Sequence, residues 1–179
     1  MASTFTRKNP KVVGHIASLP IPMIGGKEGT TQSWLAGQVV LQSSGVLVVG
    51  TDNAETELIV GFACNNASGT TGAACSIIPA VPGLLFEANL GRDAAYTMLA
   101  ADMFCTYSLG VTSAIHYLDE DIRTADTAAG SQVFATVIDF AYDWVSGVWT
   151  KAAIGDTDAR VLAVVAASTF ATGTTSVAV

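Results

Sequence analysis

Charged residues are scarce in this chain of 179 residues, since they make up only 13% of it against roughly 25% in an average soluble domain. Half of the residues are hydrophobic. Long apolar runs are nevertheless missing, because Gly, Ala, Ser and Thr interrupt each one before the roughly 18 to 20 residues that a membrane helix needs. We therefore expect no membrane partner, and a folded domain with much of its uncharged surface covered by other proteins. The alternative is a well-packed monomer with a surface of small residues.

Cysteine and histidine are too few for several kinds of site. Three cysteines, Cys64, Cys75 and Cys105, make an odd number, which argues against a secreted disulfide framework. Reduced thiols are the simpler interpretation, although Cys64 and Cys75 could pair across a hairpin. The histidines are His15 and His116, and neither lies in a motif typical of nucleophilic catalysis. We expect His116 to be an outward-facing or hydrogen-bonded strand residue, and the protein not to be an enzyme.

Phosphate-binding and metal-binding motifs are also weak. Residues 25–28 fail as a phosphate loop, because Ile21 stands where the first Gly belongs and Glu28 replaces Ser or Thr. Two acidic clusters, residues 119–121 with Asp126 and residues 156–158, could hold a hard cation, but neither has the spacing of a calcium-binding loop. Solvated loop carboxylates are the simpler interpretation. We expect no cofactor and no metal.

The few charges are distributed unevenly. Residues 1–30 carry four basic residues against Glu28 alone, whereas the remainder has four basic and fourteen acidic residues. A basic leader on an acidic body predicts that the leader docks on an acidic surface, such as that of a neighbouring copy, and a solvated tail is the alternative. Nucleic acid is a poor direct partner for the body, because phosphate binding needs clustered Lys and Arg.

Residues 1–33 are predicted to form an extended arm. Pro10, Pro20 and Pro22 prevent a helix, and residues 19–24 favour an extended or polyproline II path. The arm carries apolar residues that are unusual for a solvated linker: Ile16, Leu19, Ile21, Met23 and Ile24. Because ordering a chain costs roughly 1 kcal/mol or more per residue, we expect this arm to lie in a groove of a partner. Its deletion is expected to leave a folded body.

The body, residues 34–166, is predicted to be a single all-β domain, a β-barrel or β-sandwich. It is organised around a hairpin in which the β-branched runs at residues 39–41 and 46–49 flank a Ser-Ser-Gly connection. Further strand-like runs follow at a spacing near ten residues, which is typical of sandwiches and barrels. They are residues 58–63, 76–78, 84–89, 106–109, 114–118, 132–140 and 160–165.

Two other segments of the chain are predicted separately from the strands. Residues 94–103 predict one short helix of a turn or two, with Asp93 as a candidate N-cap. From its composition, the segment at residues 119–130 is predicted to be a polar loop. Residues 167–179, rich in Ser, Thr, Ala and Gly, are predicted to be a flexible C-terminal tail.

Aromatic residues cluster between residues 140 and 149, around a tight turn. Trp144 and Trp149, together with Phe140 and Tyr142, could form a platform for a sugar ring. Such clusters are more often part of a core or an anchor for a protein partner.

The order of several short motifs resembles that of tailed-phage capsid decoration proteins, also called cement proteins. Residues 155–165, Gly-Asp-Thr-Asp-Ala-Arg followed by Val-Leu-Ala-Val-Val, are similar to the final loop and strand of that family, with Ala159 where Gly is common. Three earlier motifs resemble its first strand, its Ile-Gly-Val-Ala strand and its Pro-Gly-x-x-Phe-Glu strand: residues 34–41, 59–63 and 81–88. The likeness leaves out the arm and the tail.

This resemblance implies a non-enzymatic β-protein on the outer surface of a phage head, assembled in the host cytoplasm, that cements neighbouring major capsid protein subunits. The implied partners are the major capsid protein and further copies of the chain, as a trimer. The residues expected at the capsid or subunit interface are Arg7, Lys8, Lys11, Ile16, Leu19, Ile21, Met23, Ile24, Trp144 and Trp149. The alternatives are another virion β-module, such as a head-fibre or tail base, or a carbohydrate-binding β-sandwich.

Overall fold

The computed structural model describes residues 2–52, 54, 58–92, 94–123 and 134–166, and within them all regular elements are strands apart from short 3-10 turns. The predicted all-β class is confirmed. The strands, in chain order, are β1 (Lys11–His15), β2 (Ile24–Lys27), β3 (Val39–Ser43), β4 (Val46–Val49), β5 (Ile59–Ala63), β6 (Ala74–Pro79), β7 (Leu84–Gly91), β8 (Thr106–Thr112), β9 (Ile115–Arg123), β10 (Ala135–Phe140), β11 (Tyr142–Val145), β12 (Val148–Lys151) and β13 (Arg160–Val165).

Five of the strands close into a barrel. The antiparallel order is β7-β13-β10-β8-β9, and β9 returns to β7 through a short parallel pairing in which Leu90 faces Leu118. The first half of β7 uses the same edge to pair with β1, which adds a sixth strand outside the ring. Closure removes the free edges that would otherwise be open to pairing with other chains.

A second sheet, in the order β2-β6-β5-β3-β4, packs on the barrel through side chains of β3 and β5. Because successive side chains of a strand point to opposite faces, β3 lies between two cores. Val39 and Leu41 belong to the larger core, which the barrel strands share, whereas Val40 belongs to a smaller core with Trp34 and Leu47. The predicted central hairpin therefore joins the two parts of the molecule.

Three phenylalanines meet in the larger core. Phe62 lies on β5, Phe86 on β7 and Phe134 just before β10, and their ring centroids are 5.0, 5.6 and 6.0 Å apart. Because Phe62 comes from the second sheet and Phe86 from the barrel, this cluster makes the two sheets one packed unit.

The connection of the β3–β4 hairpin is shorter than predicted. Ser43 pairs with Val46, so the turn consists of two residues, Ser44 and Gly45, and not of Ser-Ser-Gly. Both turn residues have positive φ angles, 49° and 81°. This backbone geometry is the one that matches the twist of two directly joined antiparallel strands.

The helix predicted over residues 94–103 is reduced to one 3-10 turn, Ala100–Asp102. The buried Asp102 carboxylate accepts hydrogen bonds from the Tyr96 hydroxyl at 2.8 Å and from the Leu99 N–H at 2.6 Å. These bonds hold the preceding residues in an open path, which overrides their helix propensity. Asp93, the candidate N-cap, lies outside the described residues, as does the predicted tail at residues 167–179.

Residues 2–33 pack on the body of their own chain. β1 extends the barrel by pairing with β7, and β2 forms one edge of the second sheet by pairing with β6. Phe5 is buried in the larger core. The conformation of this segment is largely extended, as its prolines predict, but the groove in which it lies belongs to the same molecule.

Candidate functional site

The first candidate surface is the connection between β1 and β2, which we call the proline segment (residues 16–23). The chain crosses here from the barrel to the second sheet, and Pro20 and Pro22 keep it extended while removing two N–H donors. Its four large apolar side chains are between 37% and 70% exposed: Ile16, Leu19, Ile21 and Met23. Ile24, also predicted at the interface, is instead half-buried against the smaller core as the first residue of β2.

The second candidate surface is one face of the β11–β12 hairpin, which we call the aromatic face (Tyr142, Trp144, Trp149 and Lys151). Tyr142 pairs with Lys151 and Trp144 with Trp149, so all four side chains share a face. Each aromatic residue is more than half exposed. The two indole rings touch edge to face, with centroids 5.7 Å apart and an interplanar angle of 85°.

The aromatic face points outward because the opposite face of the hairpin is tied down. Asp143, between Tyr142 and Trp144, is buried and accepts hydrogen bonds from the Lys8 ammonium at 2.6 Å and from the Trp144 N–H at 2.7 Å. Burial opposes its ionisation, but these two donors outweigh burial and hold the pKa of Asp143 below its ordinary value. The strand alternation then leaves the aromatic rings in solvent.

Three further exposed apolar side chains lie in or beside turns, and we call them together the turn surface (Leu99, Phe104 and Ile154). The sequence did not predict them. The Gly155 N–H donates to the Met98 carbonyl at 2.8 Å, which places Leu99 and Ile154 on adjoining segments. All three side chains of the turn surface are more than half exposed. Isolated apolar residues in turns have no periodicity, so the sequence contains no signal that would have identified them.

Phe104 combines exposure with an unusual backbone conformation. It is 73% exposed and has a φ angle of 63°. A bulky residue with positive φ is uncommon and costs about 1–2 kcal/mol. Its N–H donates to the Val137 carbonyl at 3.0 Å, which holds the turn against β10. Strain of this kind is concentrated at functional positions, so Phe104 is a candidate contact residue.

The proline segment and the aromatic face lie at opposite ends of the β7–β13 ladder. His15, at the base of the proline segment, pairs with Leu84. At the other end, the Ala141 N–H at the foot of the hairpin donates to the carbonyl of Arg160, which pairs with Asn89. Residues 84 and 89 of a strand are roughly 16 Å apart. The two surfaces therefore cannot touch each other within one copy. The turn surface lies toward the hairpin end, because Ile154 follows β12.

The basic residues predicted at the interface divide into two groups. Arg7 and Lys8 form ion pairs with Asp158 and Asp143 of their own chain, at 2.9 and 2.6 Å. The Arg7 guanidinium also lies 4.7 Å from the ring centroid of Tyr117. The basic leader thus docks on an acidic surface within the same molecule. Lys11, by contrast, is exposed on β1.

Four acidic residues of the two clusters are buried and not solvated, whereas Asp121 is exposed as predicted: the buried ones are Asp119, Glu120, Asp156 and Asp158. Asp156 is buried and accepts hydrogen bonds from the Ser3 N–H at 2.6 Å and the Ala153 N–H at 2.8 Å. Glu120 is a buried residue of β9 and pairs with Arg92. No group of three or more His, Cys, Asp and Glu side chains in the described part of the chain is placed to hold a metal ion. Asp126 lies outside that part.

Cys64, Cys75 and Cys105 are all free thiols. Burial raises the pKa of the Cys64 and Cys75 thiols above the ordinary value, so both are poorly reactive in the folded protein. Cys75 is buried, whereas Cys64 and Cys105 are half-buried.

His116 is completely buried on β9. Its Nδ1 accepts a hydrogen bond from the Val39 N–H at 2.9 Å, which confirms a hydrogen-bonded strand residue and excludes an outward-facing one. Its Nε2 has no hydrogen-bond partner among the described residues. Burial disfavours the imidazolium and lowers the pKa of His116 to about 4.

We expect the protein to lose stability as the pH falls from 6.5 to 4. In this interval the unfolded chain binds a proton at His116, whose ordinary pKa is 6.5, while the folded protein does not. The expected loss is about 3 kcal/mol, complete near pH 4. Urea unfolding between pH 7.5 and 4 measures it. His116→Gln should flatten this pH dependence and His15→Gln should preserve it, and equal slopes in wild type and His116→Gln would contradict the assignment.

Comparisons with known proteins find no matching family model and no matching curated sequence. The helical turns in the described part of the chain include none that is long and apolar enough to cross a membrane.

Proposed function

We propose that this protein is a structural virion protein that binds the outer surface of a phage capsid and cements neighbouring major capsid protein subunits. The observation that carries the proposal is that one small β-body presents three separate apolar surfaces: the proline segment, the aromatic face and the turn surface. Exposed apolar patches with aromatic anchors mark protein interfaces. A cement protein needs several of them, because it contacts both capsid subunits and further copies of itself, here expected to form a trimer.

The way in which these surfaces are displayed supports the same proposal. The proline segment is fixed at both ends by β1 and β2, and the aromatic face is fixed by the hydrogen bonds of Asp143. A surface that is already ordered loses little entropy on binding. Weak contacts of this kind, repeated over a symmetric shell, add by avidity. The motifs that resemble the decoration family contribute residues to β3, β5, β7 and β13.

We assign the capsid contact to the turn surface, because the strained backbone of Phe104 holds an aromatic ring in solvent. Burying such a side chain is worth about 1.5–3 kcal/mol. Phe104→Ser is therefore expected to weaken binding to the capsid by about 10- to 100-fold. Leu35→Ser is the matched control, since Leu35 is 47% exposed and outside the three surfaces.

The test is co-sedimentation of the purified protein with undecorated heads of its source phage. We expect saturable binding at a fixed ratio to the capsid subunit, with decorated heads surviving heat or chelator better than bare ones. Phe104→Ser should bind weakly and Leu35→Ser normally. Absence of binding by the wild-type protein would overturn the capsid role.

A glycan array distinguishes the carbohydrate-binding alternative. A signal that disappears on Trp144→Ala or Trp149→Ala would favour that function. The edge-to-face arrangement of the two indoles argues against it, because rings inclined at 85° cannot both stack flat on one sugar ring.

A further inference from the structure

We infer that the aromatic face of one copy of this protein binds the proline segment of a second copy, so that the copies join head to tail. The inference rests on the homo-oligomer of the proposed function and names the two surfaces that make its contact. It does not require a capsid, and it can be tested on the purified protein.

The chemistry of the two surfaces is complementary. Within the described residues, the backbone of residues 19–23 makes no hydrogen bonds, so its carbonyls are available as acceptors. The ring N–H groups of Trp144 and Trp149 are likewise without partners among these residues, whereas the ring N–H of the core residue Trp34 donates to the Asn65 carbonyl. Aromatic rings that stack on proline and donate to backbone carbonyls are the usual means of binding extended, proline-containing segments.

The proline segment also borders a receptacle for an aromatic side chain. An open groove of about 440 Å³ lies beside Met23, between β1 and the second sheet. Its lining includes the apolar side chains of Val12, Phe62 and Ile78. An indole ring of the incoming aromatic face can fill this groove while its neighbour covers Pro20 and Pro22.

The positions of the two surfaces determine the type of assembly. Because they lie at opposite ends of the β7–β13 ladder, each copy offers one surface in each direction. A contact between two different patches is heterologous, and it closes into a ring when the rotation between copies allows. The trimer of the proposed function is such a ring.

Neither the proline segment nor the aromatic face brings an unpaired charge to the contact, but Lys11 lines the neighbouring groove. Residues 16–23 include no charged side chain, and Lys151 on the aromatic face is paired with Asp139 at 3.3 Å. Lys11 is exposed on β1, so its ammonium can stay in water at the edge of the groove while the ring docks. Docking then buries no lone charge, which would cost several kcal/mol. The affinity of the contact is therefore determined by its apolar side chains.

The size of the surfaces predicts a weak pairwise contact. Aromatic side chains have areas of about 150–250 Å². Three of them, each more than half exposed, offer on the order of 350 Å², and the proline segment offers a comparable area. One contact would bury roughly 700 Å², below the roughly 1,600 Å² of a standard interface. A ring holds each copy on both sides, which compensates for this weakness.

The test uses two complementary variants of the full chain in sedimentation velocity. The first, Trp144→Ser with Trp149→Ser, lacks the aromatic face and keeps the proline segment. The second, Leu19→Ser with Ile21→Ser, lacks the proline segment and keeps the aromatic face. All four side chains are exposed, so we expect unfolding free energies within about 0.5 kcal/mol of wild type. Leu35→Ser is the control for loss of an exposed apolar residue outside both surfaces.

Wild type and Leu35→Ser are expected to associate with rising concentration, up to about 0.5 mM, where even millimolar affinities are visible. Each double variant alone is expected to remain monomeric. Mixed together, the two variants should form a 1:1 dimer and nothing larger, because one intact contact remains. Wild type that stays monomeric, a double variant that associates alone like wild type, or a mixture that stays monomeric while wild type associates would each overturn the inference.

The capsid assay separates this inference from the proposed function. Phe104→Ser should bind heads weakly, with the same loss of about 10- to 100-fold, and still self-associate like wild type. If wild type decorates heads without forming the head-to-tail contact, the inference fails and the proposed function stands. If the complementary variants pair as expected but wild type does not bind heads, the contact stands without the capsid role.

Discussion

Replacing Phe5 with alanine is expected to lower the free energy of unfolding by about 3–5 kcal/mol. Phe5 belongs to the segment that composition marks as a basic leader, yet it is only 2% exposed and packs in the larger core. Its N–H donates to the Thr157 carbonyl at 2.9 Å. Truncation would therefore leave a cavity that the surrounding strands cannot readily fill.

The polar residues on either side of the leader prevent it from adjusting to such a cavity. Arg7 is paired with Asp158, and the buried guanidinium of Arg160 donates to the carbonyls of Lys8 and Asn9 at 3.2 and 3.3 Å. Removal of residues 2–9 would leave this guanidinium without those acceptors. We therefore expect this deletion to unfold the body, in contrast to the folded body that the sequence predicted after loss of residues 1–33.

Urea unfolding followed by circular dichroism measures the effect of Phe5→Ala. Phe104→Ala is the matched control, because it makes the same chemical change at an exposed position. We expect the control to stay within about 0.5 kcal/mol of wild type. Equal losses in the two variants would show that Phe5 does not contribute to the core as described.

Replacing Glu28 with alanine is expected to cost about 3–4 kcal/mol. The carboxylate is fully buried and accepts hydrogen bonds from the Ser68 N–H at 2.8 and 3.0 Å, the Ser68 hydroxyl at 3.0 Å and the Gly69 N–H at 3.1 Å. Alanine would leave these donors unsatisfied in the interior. Because Glu28 follows β2, its loss would also remove the side-chain hydrogen bonds that hold Ser68 and Gly69 against that strand.

Comparison with Glu28→Gln separates the hydrogen bonds from the packing. Glutamine fills the same space and keeps one acceptor oxygen, so we expect a smaller loss of about 1–2 kcal/mol. A thiol-labelling reagent supplies a local measurement, because Cys75 is buried beside Gly26 of β2. In folded Glu28→Ala, one more thiol should become reactive than in wild type. Equal stabilities of the two variants, with no new reactive thiol, would contradict this role of Glu28.

The local sequence pattern was sufficient to predict the all-β class and the positions of several strands. The run of β-branched residues at β13 predicts that strand with its observed bounds, and two short strands around Ser-Ser-Gly predict the β3–β4 hairpin, although its turn is one residue shorter. The tight turn at residues 145–149 was also predicted, but the strands β11 and β12 that flank it were not. The exposed side chains of the proline segment were also identified, because apolar residues among prolines are unusual. All of these features depend on residues within about ten positions of one another, where period and turn geometry act directly.

The remaining features were decided by contacts between distant parts of the chain. The pairing of Lys11 with Glu87 makes β1 part of the barrel, and the buried donors around Glu28 come from a loop about 40 residues away. No local pattern specifies that a carboxylate or an imidazole such as His116 will be buried. Burial depends on which other strand covers it, and the covering strand is selected by packing of the whole core. The turn surface is exposed for the same reason, since hydrogen bonds to β10 and to the loop after β12 position its three side chains.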